Sequence, residues 1–516
     1  MIYPHKKFFI EKKLVIIMVL ENLEPKIVWD IFENIIAKTP RPSKYEERIR
    51  EVIKDFIFKV GKSNNTDFQI YQDGVGNILI KKPATPGQES IPPIMLQAHL
   101  DMVCETDKPE GFDFFTQGIP IRIQNNGEWV DADGTTLGAD NGIGVAFAIA
   151  ILIDTSIESH GPIEVLFTVN EEDGFDGATL LDPSKLSIES KLMINLDGGP
   201  LGEIVIGSVC GRRVRFSKKF TWKEYMESDD LEFNELLIHG LLSGHSGGDI
   251  HLPRANANKL VSRILSKIHQ EIKIYVCKWK GGSKSNVIPA KSLIKFGIKV
   301  KDHDKFEELL NEEISSIYQY YEKFEPNLKI ENKKVSPDNY LSNEDSRLLI
   351  STTHIIPNGV LKKSHIYERF IESSNNLAIV NTENDKEIIW LYPRSIIRSE
   401  LDSFCVSMKQ LGELGGWRVF LRPVLPEWLP DLESKFLEHV KKQYDTLLEK
   451  PVKTNVIHGG LETGMISTRI SGLQMVALGP TVEGLHSPSE RLKISDVGII
   501  YELLKRIVFN IKEINY

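Results

Sequence analysis

The chain has 516 residues, 41% hydrophobic and 26% charged, with a formal net charge of −9. Such a length suggests about three domains, and a modest negative charge without a dense basic block argues against a nucleic-acid surface. The four cysteines, Cys104, Cys210, Cys277 and Cys405, are widely separated, which argues against a disulfide framework and a cysteine-built zinc knot and fits a reducing cytoplasm.

Residues 1–20 read as an N-terminal extension. Lys12 and Lys13 precede an apolar run, Leu14 to Leu20, that is too short to span a membrane. Glu21-Asn22-Leu23-Glu24-Pro25 follows, without the small-residue cleavage site of a signal peptide, and Met18 offers a later start. Residues 21–208 read as the first part of a catalytic domain. Ile27, Val28, Ile31, Phe32, Ile35 and Ile36 predict a helix over Pro25 to Lys38. Thr39-Pro40-Arg41-Pro42-Ser43 breaks it, and Ser43 can cap a second helix from Lys44 to Val60 with Glu46 as its capping-box partner. Short strands are expected at Phe68 to Tyr71 and Asn77 to Ile80.

Ile94 to Leu96 reads as a buried strand that runs into Gln97-Ala98-His99-Leu100-Asp101. Two positions apart on an extended chain, His99 and Asp101 share a face. A histidine that holds a metal through one ring nitrogen gives its other N–H to an acceptor. Asp101 can be that acceptor, or can steady a water or substrate beside the metal. Alone, His-x-Asp is a strand end with a satisfied imidazole and a solvated carboxylate; later stretches supply what it lacks.

A hairpin is expected at Ile119 to Ile123 and Trp129 to Asp131, turning at Asn125-Asn126-Gly127. Thr136-Leu137-Gly138-Ala139-Asp140-Asn141-Gly142 then opens a helix that runs through Ile153; its glycine spacing is not a dinucleotide fingerprint. Asp140 is either a helix cap or a carboxylate delivered into a site. The strand Ile163 to Val169 ends in Asn170-Glu171-Glu172-Asp173-Gly174, whose acidic groups repel one another unless something positive sits among them. The strand Lys191 to Leu196 ends in Asp197-Gly198-Gly199, and strand ends in an α/β sheet are where sites form.

Residues 209–425 read as an inserted α+β domain. Strands are expected at Arg213 to Thr221, Leu236 to Leu242, Ile274 to Lys278, Leu293 to Val300, Leu377 to Asn381 and Ile388 to Tyr392. Helices are expected at Asn256 to His269, Asp304 to Tyr321 and Ser403 to Leu414. The recurrence of strand and helix blocks suggests two sub-units. Residues 426–516 return to the catalytic domain: a helix over Pro430 to Lys450, an extended Thr454 to His458, a buried strand Met475 to Leu478 leading to His486, and a closing helix from Ser495 to Ile511.

His99, Asp140, Glu172, Asp197 and His486 together offer imidazole nitrogen and carboxylate oxygen. That mix suits zinc and tolerates manganese or cobalt. Five protein ligands are too many for one open catalytic zinc; they suit two metals roughly 3.5–4 Å apart, bridged by a carboxylate and a water. A further carboxylate must move the water's proton, and Glu171 is the candidate.

These stretches resemble the aminoacyl-histidine dipeptidases, or cytosol non-specific dipeptidases, of the di-zinc peptidase group that includes carnosinases. The likeness runs from about Leu23 onward and includes Gly244-His245-Ser246-Gly247-Gly248-Asp249-Ile250-His251, Arg254-Ala255-Asn256-Ala257-Asn258-Lys259 and His486-Ser487-Pro488. The resemblance implies a three-layer α/β/α catalytic domain with a mixed central sheet, and an inserted α+β lid that carries dimerisation or mimics it, hence a homodimer. It implies two Zn²⁺, with Asp140 bridging, His99 and Asp197 on one metal and Glu172 and His486 on the other. It implies Glu171 as general base and acid, Asp101 as a support on the metal side, and a cis peptide at Asp140–Asn141. From the lid, His245 is implied to stabilise the oxyanion and Asn286 and Arg398 to hold the substrate, with Gly460 of the returning catalytic segment lining the same pocket. Without the resemblance, His245 reads as a hydrogen-bonded lid residue and Arg398 as half of a surface ion pair. The implied activity is broad hydrolysis of dipeptides such as Xaa-His, including β-Ala-His, in the cytoplasm, with no nucleic-acid or membrane partner. An N-acyl amino acid deacylase or desuccinylase of the same broad group is the second reading. A non-catalytic binding protein is the third, and it predicts a missing ligand or base.

Overall fold

The computed structural model describes residues 18–365 and 370–514; the reading of residues 1–17 as an extension falls outside them. The chain forms two compact units. One takes in the chain up to Val205, Leu432–Thr454 and everything from Arg469 onward; the other is Ile206–Asp431 with Asn455–Thr468. Sequence reading put 455–468 with the catalytic domain. The structure ties this segment into the second unit, where Val209 N–H donates to the Ile457 carbonyl at 3.3 Å and Ser374 Oγ lies 2.7 Å from His458 Nε2.

In the first unit, six strands that lie wholly inside it run in the order Gln69–Gln72, Ile78–Lys82, Ile163–Thr168, Ile94–His99, Leu192–Asn195, Gln474–Ala477. The first two are antiparallel additions and the last four are mutually parallel, so the sheet is mixed. Every residue of Ile94–His99, Ile163–Thr168 and Leu192–Asn195 is buried, as strands covered on both faces must be. The helix Ala139–Ile153 packs on Ile94–His99 and is apolar nearly all round, burying its residues from Asn141 to Leu152. Because the four strands are parallel, their carboxyl ends lie at one edge, where His99, the 170–172 turn and Asp197 leave the sheet.

A second small sheet positions the last ligand candidate. The expected hairpin forms as Ile121–Ile123 and Trp129–Ala132, and it pairs with Arg491–Lys493, which pairs in turn with Val482–Glu483. His486 sits in the loop between those last two strands.

The first helix differs from expectation: it is α-helical over Lys26–Ile31, then widens to π-helical turns over Phe32–Ala37. The second begins at Glu47, and no side chain caps it. Ser43 does not cap because its hydroxyl donates to Asp101 Oδ2 at 2.7 Å. Among the described residues no helix is long and apolar enough to cross a membrane.

The second unit is built on one nine-stranded antiparallel sheet, in the order Lys329–Lys334, Leu231–His239, Ser292–Lys299, Ile274–Gly281, Ile371–Glu383, Lys386–Ser395, Cys210–Lys219, Arg418–Leu425, with Gly359–Lys363 added beside Ile371–Glu383. The two expected sub-units are thus halves of a single sheet, joined where Lys280 and Gly281 face Asn381 and Val380. The helices Ala257–Ile268, His303–Tyr321, Asn343–Ile355 and Arg398–Leu414 contribute to one contiguous core that includes Trp279, Phe216, Phe296 and Phe306. Each such fully buried apolar side chain contributes about 1.5–3 kcal/mol relative to exposure.

That unit also buries a carboxyl group. Glu387 Oε1 accepts from Thr382 Oγ1 at 2.6 Å, and its Oε2 has no partner. Lys218, opposite it in register, sends Nζ to the Gly415 carbonyl instead. Burial pushes the Glu387 pKa up from 4.5 to about 8. Below pH 4.5 both folded and unfolded states hold the proton. As pH rises from 4.5 to 8 only the unfolded state releases it, so the folded state loses ground by up to about 1.4 kcal/mol per pH unit. Glu387→Gln therefore raises Tm relative to wild type more at pH 8 than at pH 5; an equal difference in thermal melts at both values would refute the burial argument.

Candidate metal centre

Asp140 reaches the site from a backbone that breaks helical geometry. The helix Ala139–Ile153 is interrupted at Asp140 and Asn141, whose ψ values are 111° and 30°, and the peptide between them is cis. The preceding Gly138 has φ 69°, and a Cβ there would stand 2.6 Å from Arg41 Nη2 and 2.8 Å from Met102 Sδ, so only glycine fits. Glu490 accepts the N–H groups of Gly138 and Asp140 at 2.8 and 3.1 Å. Arg41, itself buried, donates to the carbonyls of Leu100, Asp101 and Gly138. This loop is thus held at both its donors and its acceptors.

The Asp140 carboxylate lies between two imidazoles. Oδ1 is 3.0 Å from His99 Nε2 and Oδ2 is 3.2 Å from His486 Nε2. His486 Nε2 is also 3.1 Å from Glu172 Oε2, and His99 Nε2 is 4.0 Å from Asp197 Oδ2. Ligand-type atoms fall into two clusters that share one residue: His99, Asp140, Asp197 and Asp140, Glu172, His486, each within 4.8 Å. A third cluster joins His99 with Glu171 and Glu172. Asn141 Nδ2 steadies Asp197 by donating to its Oδ1 at 3.2 Å and to the Leu196 carbonyl at 2.8 Å. The turn after Asp197 is pressed against the chain after Gln474–Ala477: a Cβ on Gly479 would come within 2.1 Å of the Gly198 carbonyl oxygen.

Asp101 faces the other side of His99, 3.4 Å from Nδ1. Its oxygens accept the N–H groups of Glu171 and Glu172 at 3.0 and 3.1 Å. Asp101 therefore orients the imidazole and the acidic turn at once. Although burial opposes its charge, the hydrogen bond from His99 and the other donors hold its pKa below the usual carboxylate value.

The donor set fits a cation. Burial disfavours charge on His486, yet its bonds to Asp140 and Glu172 push its pKa up to about 11. His99 is likewise raised well above 6.5 by Asp101 and Asp140 against burial. Glu172 is raised by burial and by the Asp140 charge, and its buried Oε1 has no partner. A buried group of carboxylates that draws protons onto both its histidines lacks positive charge, and all five side chains offer atoms that divalent metals accept.

The residues that sequence reading assigned to substrate lie in the second unit. His245 pairs with Val287 in a β-bridge, its ring Nδ1 accepts the Gly248 N–H at 3.1 Å, and Ser246 N–H donates to the Asn286 carbonyl at 2.7 Å. The His458–Gly460 loop adjoins them: a Cβ on Gly247 would sit 2.3 Å from the His458 carbonyl oxygen and 3.0 Å from His245 Cε1. Arg398 is placed differently. It is half-exposed, and its Nε donates to Asp402 one turn along its own helix at 3.0 Å.

Sequence reading missed Arg394. Arg394 is 3% exposed, its guanidinium stacks 4.1 Å from the Tyr392 ring centre, and its buried Nε has no hydrogen-bond partner among the described residues. Burial lowers its pKa. Burial together with the Arg394 charge holds His458 neutral, with a pKa of about 3. Arg41, Ser43 and Glu490 were also unassigned, since only folding shows which backbone groups and side chains they hold.

The model of peptidase family M20/M25/M40 matches residues 95–510. The chain belongs to this family. It is 36% identical over 494 residues to the cytosol non-specific dipeptidase of Escherichia coli (strain K12), covering 95% of this chain and 99% of that one. Among solved structures it is similar to aminoacylhistidine dipeptidase from Vibrio alginolyticus, with a TM-score of 0.80 and 32% identity over 96% of this chain and 98% of that chain. The aminopeptidase PepT from Bacillus cereus shares the fold, with a TM-score of 0.52 at 17% identity over 95% and 99% of the two chains. This M20 family chain is thus a peptidase with a mixed α/β architecture.

Because Asp140 and Glu172 hold the His486 pKa up at about 11, a cation taken up at pH 7 displaces a proton from it. Affinity for Zn²⁺ then rises with pH, about tenfold per unit for each proton displaced. Calorimetric titration of metal-depleted protein in two buffers of different ionisation enthalpy should give different apparent enthalpies. Identical enthalpies would mean that the imidazoles are already neutral.

Proposed function

We propose that this chain is a metal-dependent dipeptidase of the cytoplasm that uses a pair of divalent cations, zinc by the character of its donors. The observation that carries the reading is the sharing of Asp140 between two ligand clusters. Asp140 would be shared by the two cations, with His99 and Asp197 holding one and Glu172 and His486 the other. When bound, the metals lower the pKa of water and polarise the scissile carbonyl. The names of the Escherichia coli and Vibrio alginolyticus relatives, a non-specific dipeptidase and an aminoacylhistidine dipeptidase, support dipeptides as substrates, Xaa-His among them; β-Ala-His belongs to the same reading.

Glu171 takes the proton of the attacking water as the new C–O bond forms, and gives it to the amine nitrogen as the C–N bond breaks. Its backbone is fixed by Asp101, so the carboxylate need not reorganise between the two transfers. To the second unit we assign recognition: His245 for the oxyanion, and Asn286 and Gly460 for the dipeptide main chain. Arg394 takes the free C-terminal carboxylate, because a buried guanidinium without an anion is costly and a planar fork binds a carboxylate through two parallel bonds. Arg398, implied for that role by the resemblance, is the other candidate, and its Nε donates to Asp402. Dimerisation through the second unit belongs to the same reading, and sedimentation of the purified chain tests it.

The deciding experiment compares wild type with Glu171→Gln on Ala-His and β-Ala-His, with N-acetyl and N-succinyl amino acids as controls, and measures bound metal in both. The variant should keep its metal and lose about 10²–10⁴-fold in kcat. Full activity in a metal-replete variant would remove Glu171 from the mechanism. Turnover of the acylated amino acids alone would favour a deacylase. Arg394→Met should raise KM for dipeptides far more than it lowers kcat; an unchanged KM would show that the carboxylate is held elsewhere.

A further inference from the structure

Five consecutive polar residues, Glu372 to Asn376, are buried in the strand Ile371–Glu383, in the interior of the nine-stranded sheet. A buried polar side chain is costly unless it is hydrogen-bonded, and the partners of the last three show what they hold. Asn375 Nδ2 donates to the Pro357 carbonyl at 2.6 Å. Ser374 and Asn376, on either side of it, share the opposite face. They pair in register with Arg394 and Tyr392 of the neighbouring strand, and Ser374 Oγ meets His458 Nε2 at 2.7 Å.

Asn376 reaches a loop. Its Nδ2 donates to the Val287 carbonyl at 2.8 Å and to the Ser285 carbonyl at 3.3 Å, the carbonyls on either side of Asn286. The Asn286 carbonyl accepts the Ser246 N–H at 2.7 Å. Residues 282–291 form no helix or extended strand of their own, so such bonds set the course of the chain there. A carboxamide nitrogen suits the task, because it carries two N–H groups, one for each carbonyl. The Asn376 oxygen is buried with no partner among the described residues, so this amide acts through its N–H groups alone; turned over, it would set that oxygen against two carbonyls. The strand beneath is paired on both sides, with Lys386–Ser395 and Gly359–Lys363. A side chain on a paired strand is a more exact support than one on a loop.

Resting on the dipeptidase reading, in which Asn286 holds the dipeptide main chain, we propose that Asn376 is a positioning residue for substrate recognition that acts through Asn286. By gripping the peptide units before and after Asn286, it ties that residue to the strand pair that carries Arg394. Asn286, Asn376 and Arg394 all belong to the second unit, so this frame is built within that unit alone.

The test is a double-mutant cycle on the metal-loaded full chain, with Ala-Ala as substrate. Asn376→Ala should lower kcat/KM about 10–100-fold, chiefly by raising KM, as a displaced binding group does. Bound metal should not change, because the five candidate ligands lie in the first unit. In the Asn286→Ala background the same substitution should cost about twofold or less, since its effect has already been removed. Asn375→Ala, which deletes a buried amide from the other face of the same strand, should lower Tm without this loss of kcat/KM. If Asn376→Ala does not fold, Asn376→Ser, which keeps a small polar side chain, carries the same cycle. An equal loss in both backgrounds, or the same loss in Asn375→Ala, would show that Asn376 only supports the fold; it overturns this inference and leaves the dipeptidase reading standing. Failure of wild type to cleave any dipeptide overturns both.

Discussion

The carboxylate of Asp101, wholly buried, collects donors from three parts of the chain: the Ser43 hydroxyl, the N–H groups of Glu171 and Glu172, and the Nδ1 side of His99. One charged group thereby sets the entry to the second helix, the turn after Ile163–Thr168 and the imidazole at the end of Ile94–His99. A buried carboxylate is tolerable only when its lone pairs are filled, and here they are. The same bonds give the acidic turn its shape. Glu171 and Glu172 are neighbours in sequence, and both side chains come within reach of His99 because Asp101 grips both backbone N–H groups and Asn170 takes a left-handed φ of 53°.

Around this frame the charges are arranged so that protein groups alone do not neutralise them. Asp140, Glu172 and Asp197 face His99 and His486, with Glu171 close by. The nearest fixed cation, Arg41, spends its guanidinium on three carbonyls. Glu490, buried beneath the Asp140 loop, has its pKa pushed up to about 7 by burial and by the Asp140 charge, another sign of negative charge in excess. Stability in such a site comes from whatever cation enters it, so metal content and folding stability are coupled.

Much of this was legible before folding. Strand ends followed by His, Asp or Glu, and a Gly-rich turn carrying Asp140, are local signals, and parallel strands gather their carboxyl ends whatever the details of packing. The buried strands and the helix Ala139–Ile153 followed from runs of apolar residues of the right length, while the mixed direction of the sheet was implied by the resemblance. What escaped depended on distant partners. Ser43 looked like a helix cap, and only the position of Asp101, 58 residues on, takes its hydroxyl away. Glu490 reads as one more exposed acid after a Ser-Pro-Ser loop, until Gly138 and Asp140 present their N–H groups to it. The continuity of the second sheet rests on two residue pairs, at Lys280 and Gly281, too few to mark the sequence.

Arg394 and Arg398, four residues apart in sequence, sit in very different electrostatic surroundings. Arg398 begins a helix, faces solvent and pairs with Asp402, an interaction worth at most about 1 kcal/mol in water. Arg394 lies near the end of a buried strand, stacks on the Tyr392 ring, and has a buried Nε without a hydrogen-bond partner among the described residues. A cation–π contact of about 2 kcal/mol does not offset the several kcal/mol that burying an ion costs. The imbalance persists in the folded chain because packing enforces it. The metal cluster of the first unit has the same character with the sign reversed. Each unit, taken by itself, thus holds buried charge that its own side chains leave unbalanced: carboxylates in the first and a guanidinium in the second.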